Sequence, residues 1–134
     1  LAGKRLLLAE DDRLCGEILC ELLEDETGRP VSIAANGRAA LEMFESANGE
    51  YDAIIMDVQM PVMNGYEAAR AIRRSGCGNA KTVPIIALTA DASEESARSA
   101  ADSGMNGCLA KPVNIDRLRK AVAAALKSLS VAYR

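Results

Sequence analysis

"YDAIIMDVQMPVMNG", residues 51–65, decides the fold. Ala53, Ile54, Ile55 and Met56 form an unbroken apolar run that ends in Asp57, and Pro61 and Gly65 then turn the chain away. A short apolar run with β-branched residues, bounded by turn formers, predicts a strand over "YDAIIMD" (51–57), buried on both faces. A carboxylate at the end of such a strand is costly to bury unless an opposite charge or a cation meets it.

Working outward from this strand, the same pattern recurs. "RLLLAE" (5–10) and "VPIIALT" (83–89) are two more apolar runs, and "VSIAA" (31–35) and "GCLAK" (107–111) complete a set of five predicted strands. Between them the period turns helical. Residues 12–26 place Leu14, Ile18 and Leu22 on one face, backed by Cys15 and Leu19, before Gly28 and Pro30 interrupt. Asn36 is placed to cap a helix carrying Ala40, Phe44 and Ala47. Asn64 and Glu67 have capping-box spacing ahead of Ala68, Ala69 and Ile72. Asp91 or Ser93 opens a fourth helix with a small alanine face (Ala97, Ala100, Ala101), closed by Gly104. A fifth runs from Asn114 with Ile115, Leu118, Val122, Leu126 and Leu129 on one stripe.

Five βα units with nearly continuous apolar strands predict one α/β domain over residues 1–134, a parallel sheet covered by helices on both faces. Because the chain starts at Leu1, it is expected to be a segment excised from a longer protein.

Composition removes several function classes. A net charge of −3 and a pI near 5.0 leave no basic footprint for nucleic acid. No apolar run reaches the roughly 20 residues of a membrane span. The four cysteines (Cys15, Cys20, Cys77, Cys108) lack metal-binding spacing and read as reduced, partly buried thiols of a cytoplasmic protein. Histidine is absent, which excludes a His-based nucleophilic site and a phosphohistidine within this chain.

Open parallel sheets bind ligands beyond the carboxyl ends of their strands. Those ends carry Glu10, Asp11 and Asp12 on the first strand, Asp57 on the third, Thr89 on the fourth, and Lys111 with Pro112 on the fifth. Each residue alone has an ordinary role as a cap, a turn or a solvated charge; together they gather an acidic cluster, a hydroxyl and an ammonium at one edge. Two unit charges about 4 Å apart repel by about 4 kcal/mol at an effective dielectric near 20. Converging Asp11, Asp12 and Asp57 would therefore take up protons or share a cation. With only hard oxygen ligands on offer, that cation is Mg2+ (or Mn2+) rather than zinc. No glycine-rich phosphate loop follows the first strand, so a phosphoryl group would be held covalently, and an aspartate can serve as its nucleophile.

Over essentially its whole length the chain resembles the receiver domain of two-component response regulators. The motifs are Asp11-Asp12, "MDVQMPVMNG" around Asp57, "ALTA" containing Thr89, and "LAKP" containing Lys111-Pro112. "MDVQMPVMNGYEA" and "GMNGCLAKPV" look most like receivers of hybrid sensor histidine kinases. The resemblance implies a flavodoxin-like (βα)5 fold with strand order 2-1-3-4-5. It also implies that Asp57 accepts a phosphoryl group from a phosphohistidine on a histidine kinase or histidine phosphotransfer domain. Asp12, Asp57 and the Gln59 carbonyl would ligate magnesium, with Asp11 acting through water. Thr89, Ala90 and Lys111 would hold the phosphoryl group, the Lys111-Pro112 bond would be cis, and Gln59 and Asp91 would tune the lifetime of the aspartyl phosphate. The expected setting is cytoplasmic, including the cytoplasmic part of a membrane-bound sensor kinase, with no contact to nucleic acid or membrane by this domain.

One position departs from the family pattern. Receivers usually carry Tyr or Phe three residues before the strand-5 lysine, and here that residue is Cys108. A thiol cannot fill the space of a ring, so the usual aromatic readout of the switch is in question. Two alternatives stay open: a pseudo-receiver that binds partners without being phosphorylated, and a phosphohydrolase of the haloacid dehalogenase type. The second would want an aspartate at position 59 as general acid, where this chain has Gln59.

Overall fold

The computed structural model describes residues 1–91 and 93–132, with side chains as far as Lys127. Five strands, β1 (Leu6–Ala9), β2 (Ser32–Ala34), β3 (Ala53–Asp57), β4 (Ile85–Thr89) and β5 (Gly107–Ala110), alternate with five helices. These are α1 (Arg13–Thr27), α2 (Gly37–Ser46), α3 (Gly65–Arg74), α4 (Glu94–Asp102) and α5 (Ile115–Ala132). All strand pairs are parallel and the order is β2-β1-β3-β4-β5, as the resemblance implies. The strands are a residue or more shorter than the apolar runs that predict them.

Strand alternation divides the core into two layers. Leu7, Ala9, Ile54, Met56, Ile85 and Ala87 face α2, α3 and α4, where they meet Phe44, Ala68, Ile72 and Ala100. Leu6, Leu8, Ala53, Ile55, Ile86 and Leu88 face α1 and α5, against Leu19, Leu23, Leu118 and Val122. Ile54, Ile55 and Met56 are fully buried, so the run quoted first is the central strand. Burial on both faces is why β3 and its neighbours read as continuous apolar segments.

Local chemistry sets the helix starts. Asn36 accepts a hydrogen bond from Ala39 N, and Asn64 and Glu67 form a complete capping box. Ser93, rather than Asp91, caps α4. Two glycines let α2 and α3 close on the sheet. A Cβ on Gly65 would stand 2.4 Å from the Asp57 carbonyl oxygen, and one on Gly37 2.3 Å from that of Met63. The turn after Asp57 is therefore clamped between β3 and the starts of two helices.

The face of α1 differs from the predicted one. Leu14, Ile18 and Leu22 are exposed (66%, 53% and 39%), while Gly16, Leu19, Leu23 and Thr27 face the sheet. Two apolar stripes of spacing four, 14-18-22 and 15-19-23, run side by side on this helix. With Asp12 fixed as the cap, Leu19 and Leu23 of the second stripe and the small Gly16 turn inward. Cys15 is likewise exposed rather than partly buried. On α5, Leu118 and Val122 are buried and Ile115 and Leu126 pack beside them; Leu129 lies outside the described side chains. Helix α4 buries only Ala100, in keeping with its small face.

Candidate functional site

Four adjacent strands, β1, β3, β4 and β5, end in the site. Asp57 is the last residue of β3 and is 4% exposed. Its Oδ1 accepts from the Gln59 backbone N at 3.2 Å, and its Oδ2 from Lys111 Nζ at 2.7 Å. Lys111 follows β5 directly, and its backbone N donates to the Thr89 carbonyl at 2.7 Å. The Lys111-Pro112 peptide is cis. Glu10 follows β1, and its N still donates to Ala34 O at 3.0 Å, so the sheet ladder fixes its backbone. Both Glu10 carboxylate oxygens lie near Lys111 Nζ, at 3.1 and 3.0 Å. One ammonium thus bridges two buried carboxylates from two strands.

The electrostatics show an excess of negative charge. Burial, and then the close Asp57 carboxylate, push the Glu10 pKa up to about 7, with Lys111 opposing the shift. Burial works to lower the Lys111 pKa, but hydrogen bonds to Asp57 and Glu10 outweigh it and hold the ammonium above its ordinary value. One lysine does not balance the cluster, because Asp11 adds a third carboxylate. Oxygens of Glu10, Asp11 and Asp57 all lie within 4.8 Å of one another. Asp11 is exposed and lines an open cleft of about 880 Å³ with Gln59, Thr89 and Ala90.

This corrects the acidic pair read from the sequence. Asp12 does not join the cluster. It is the N-cap of α1, with its Oδ1 accepting from Cys15 N at 3.1 Å, and Glu10 takes the third place instead. The reason is a count from the strand end. Residue 10 still pairs with β2, residue 11 sits at the rim, and residue 12 is already turned into the helix start. A glutamate directly after the last β1 residue was the available signal.

The remaining predicted residues surround the cluster. Thr89 ends β4 and is buried, and its hydroxyl is hydrogen-bonded to the Asp91 backbone rather than to Asp57. It donates to the Asp91 carbonyl at 3.1 Å and accepts from Asp91 N at 3.2 Å. Ala90 is exposed on the rim. Cys108 pairs across the sheet with Ala87 and packs, half-buried, against the layer under α3 and α4. Burial and then Asp91 raise its thiol pKa. Val62, in the loop after Asp57, sits at φ 69, a region β-branched residues rarely adopt, and is 79% exposed beside the site.

A parallel sheet in this order, with carboxylates and a lysine gathered at its carboxyl edge, defines a flavodoxin-like protein with a strand-end acidic site. The chain belongs to the response regulator receiver domain family, which it matches over residues 6–123. It is 37% identical to probable histidine kinase 2 of rice, aligned over 91% of this chain and 13% of that protein. It is 33% identical to hybrid signal transduction histidine kinase I of Dictyostelium discoideum, over 83% of this chain and 6% of the relative. The chain therefore spans a small fraction of the length of these relatives. Among solved structures, the receiver domain of the Pseudomonas aeruginosa sensor histidine kinase PA1611, which has a magnesium ion coordinated in its active-site cleft, superposes with a TM-score of 0.78. It is 36% identical, over 94% of this chain and 99% of that one. The receiver domain of yeast Ssk1, solved with the histidine phosphotransfer protein Ypd1, gives a TM-score of 0.79 at 31% identity, over 92% and 89% of the two chains.

Proposed function

We propose that this receiver is a phosphoacceptor in a two-component phosphorelay, with Asp57 as the residue phosphorylated by a phosphohistidine on a kinase or phosphotransfer partner. The observation that carries the reading is the Lys111 ammonium, 2.7 Å from Asp57 at the open carboxyl edge of the sheet, within an acidic cluster that one cation does not neutralise. An Asp57 oxygen attacks the phosphorus as the bond to the imidazole nitrogen breaks. Lys111 meets the charge on the transferred group. The Thr89 hydroxyl and the Ala90 backbone N supply further donors once Thr89 leaves Asp91. Phosphoryl transfer asks mainly for positioning and charge neutralisation of this kind.

The donor set fits magnesium: three carboxylates, hard oxygens only, with one lysine ammonium to balance them. Asp11, Asp57 and the Gln59 carbonyl would hold the ion, with Glu10 acting through water. When bound, it neutralises charge on the phosphoryl oxygens. Gln59 and Asp91 flank the phosphoryl position and are proposed to tune its lifetime.

The partner's surface follows from α1. Leu14, Ile18 and Leu22 form an exposed apolar stripe beside a groove of about 540 Å³ that reaches Lys111 and Pro112. An apolar helix face carrying the phosphohistidine fits there and brings the imidazole toward Asp57. The relatives favour a place in a hybrid histidine kinase, and a cytoplasmic setting is proposed with it. No described helix is long and apolar enough to cross a membrane.

Incubation with magnesium and acetyl phosphate is expected to add one phosphoryl group, labile to hydroxylamine, in the wild type and none in Asp57→Asn. An Asp57→Asn protein that still gains the group contradicts the assignment.

A further inference from the structure

A receiver with Cys108 at the usual aromatic position needs another means of coupling Thr89 to α4. The Thr89 hydroxyl now holds the 89–91 turn through two hydrogen bonds to Asp91. Reaching a phosphoryl group on Asp57 breaks both, so the trigger frees the turn that leads into α4.

The cleft lined by Thr89, Asp91 and Ser96 is also lined by Tyr66, in the first turn of α3. Tyr66 and Cys108 are partly buried against the same core layer. Helix α3 also holds the other end of α4. Arg70 Nη1 donates to Ser103 Oγ at 3.1 Å, and Arg73 donates from Nε and Nη2 to the Gly104 carbonyl at 3.0 and 2.6 Å. Burial lowers the Arg73 pKa, in keeping with a guanidinium packed into the joint. Against this anchored carboxyl end, α4 buries only Ala100.

The geometry points to Tyr66 as the aromatic readout of the switch in this chain. When Thr89 turns to the phosphoryl group, the Tyr66 ring moves beside Cys108 beneath the freed 89–91 turn, and α4 pivots about its Arg70 and Arg73 anchor. Tyr66 is a positioning residue here: it touches neither Asp57 nor the phosphoryl group. The inference rests on Asp57 as the phosphoacceptor.

Loading by acetyl phosphate and magnesium is followed by intact mass, and the response by NMR of the Tyr66 ring and of the amides of residues 93–102, with the Tyr51 ring as internal reference. On loading, the Tyr66 ring and the α4 amides are expected to shift while Tyr51 stays. Tyr66→Leu is expected to load equally and lose the α4 shifts, and Tyr66→Phe to keep them. A silent Tyr66 ring in loaded protein, or a full α4 response in loaded Tyr66→Leu, overturns the inference and leaves the phosphoacceptor reading intact. Failure of the wild type to gain mass overturns both.

Discussion

At the scale of single residues, the site is governed by too many carboxylates for one lysine. The Glu10 pKa is raised from 4.5 to about 7, so the folded protein holds a proton there that the unfolded chain has lost. Its favourable contribution is full below pH about 4.5 and is lost as pH rises through about 7. Glu10→Gln mimics the protonated form. Without metal, its melting temperature should exceed that of the wild type by a margin that grows from about pH 5 to about pH 8; a constant margin would contradict the shift. Magnesium binding should strengthen over the same interval, because protonated Glu10 adds no charge to hold the ion. Asp11 and Asp12 separate two roles that the sequence merges. Asp12→Ala should cost about 1 kcal/mol as a lost helix cap and leave magnesium affinity in place. Asp11→Asn should weaken magnesium binding, as read by titration calorimetry, with little change in stability. Asp57, Thr89 and Lys111 were legible because four strand ends converge in this topology. Asp11 and Asp12 are not separable by residue type, because an aspartate suits a helix cap and a metal equally well, and only the ladder bond from Glu10 to Ala34 fixes the count.

At the scale of elements, α1 carries two apolar stripes with different duties. Leu23 is fully buried and Ile18 is 53% exposed. Leu23→Ala should lower stability by about 2–5 kcal/mol in chemical denaturation. Ile18→Ala should change stability by no more than about 0.5 kcal/mol, yet slow phosphotransfer from a protein donor while leaving loading by acetyl phosphate unchanged. Equal slowing with both donors would remove α1 from the docking surface. Periodicity alone could not choose between these stripes, since both repeat every four residues and both are apolar. Caps were more readable: Asn36, Asn64 and Ser93 start their helices through local hydrogen bonds that need no tertiary context. In the sequence Gly65 signals only a turn. Its close approach to the Asp57 carbonyl shows that it also seats α3 against the acceptor strand.

At the scale of the whole molecule, strand order delivers the chemistry. Placing β3 between β1 and β4 brings Asp57 beside Glu10 and Asp11, and β5 then carries Lys111 across to both carboxylates. The layered fold was legible because strands buried on both faces leave continuous apolar runs, and no local signal competes with them. The coupling through Tyr66 was not, because it joins α3 to the β4–α4 turn through space and leaves no spacing in the chain. The most direct test of the account follows radiolabelled phosphoryl transfer, with magnesium, from a phosphorylated histidine phosphotransfer protein to this domain. The account predicts label that appears on the wild type, is removed by hydroxylamine, and is absent from Asp57→Asn and from reactions with chelator. Label that never reaches the wild type, or that reaches Asp57→Asn as readily, would contradict it.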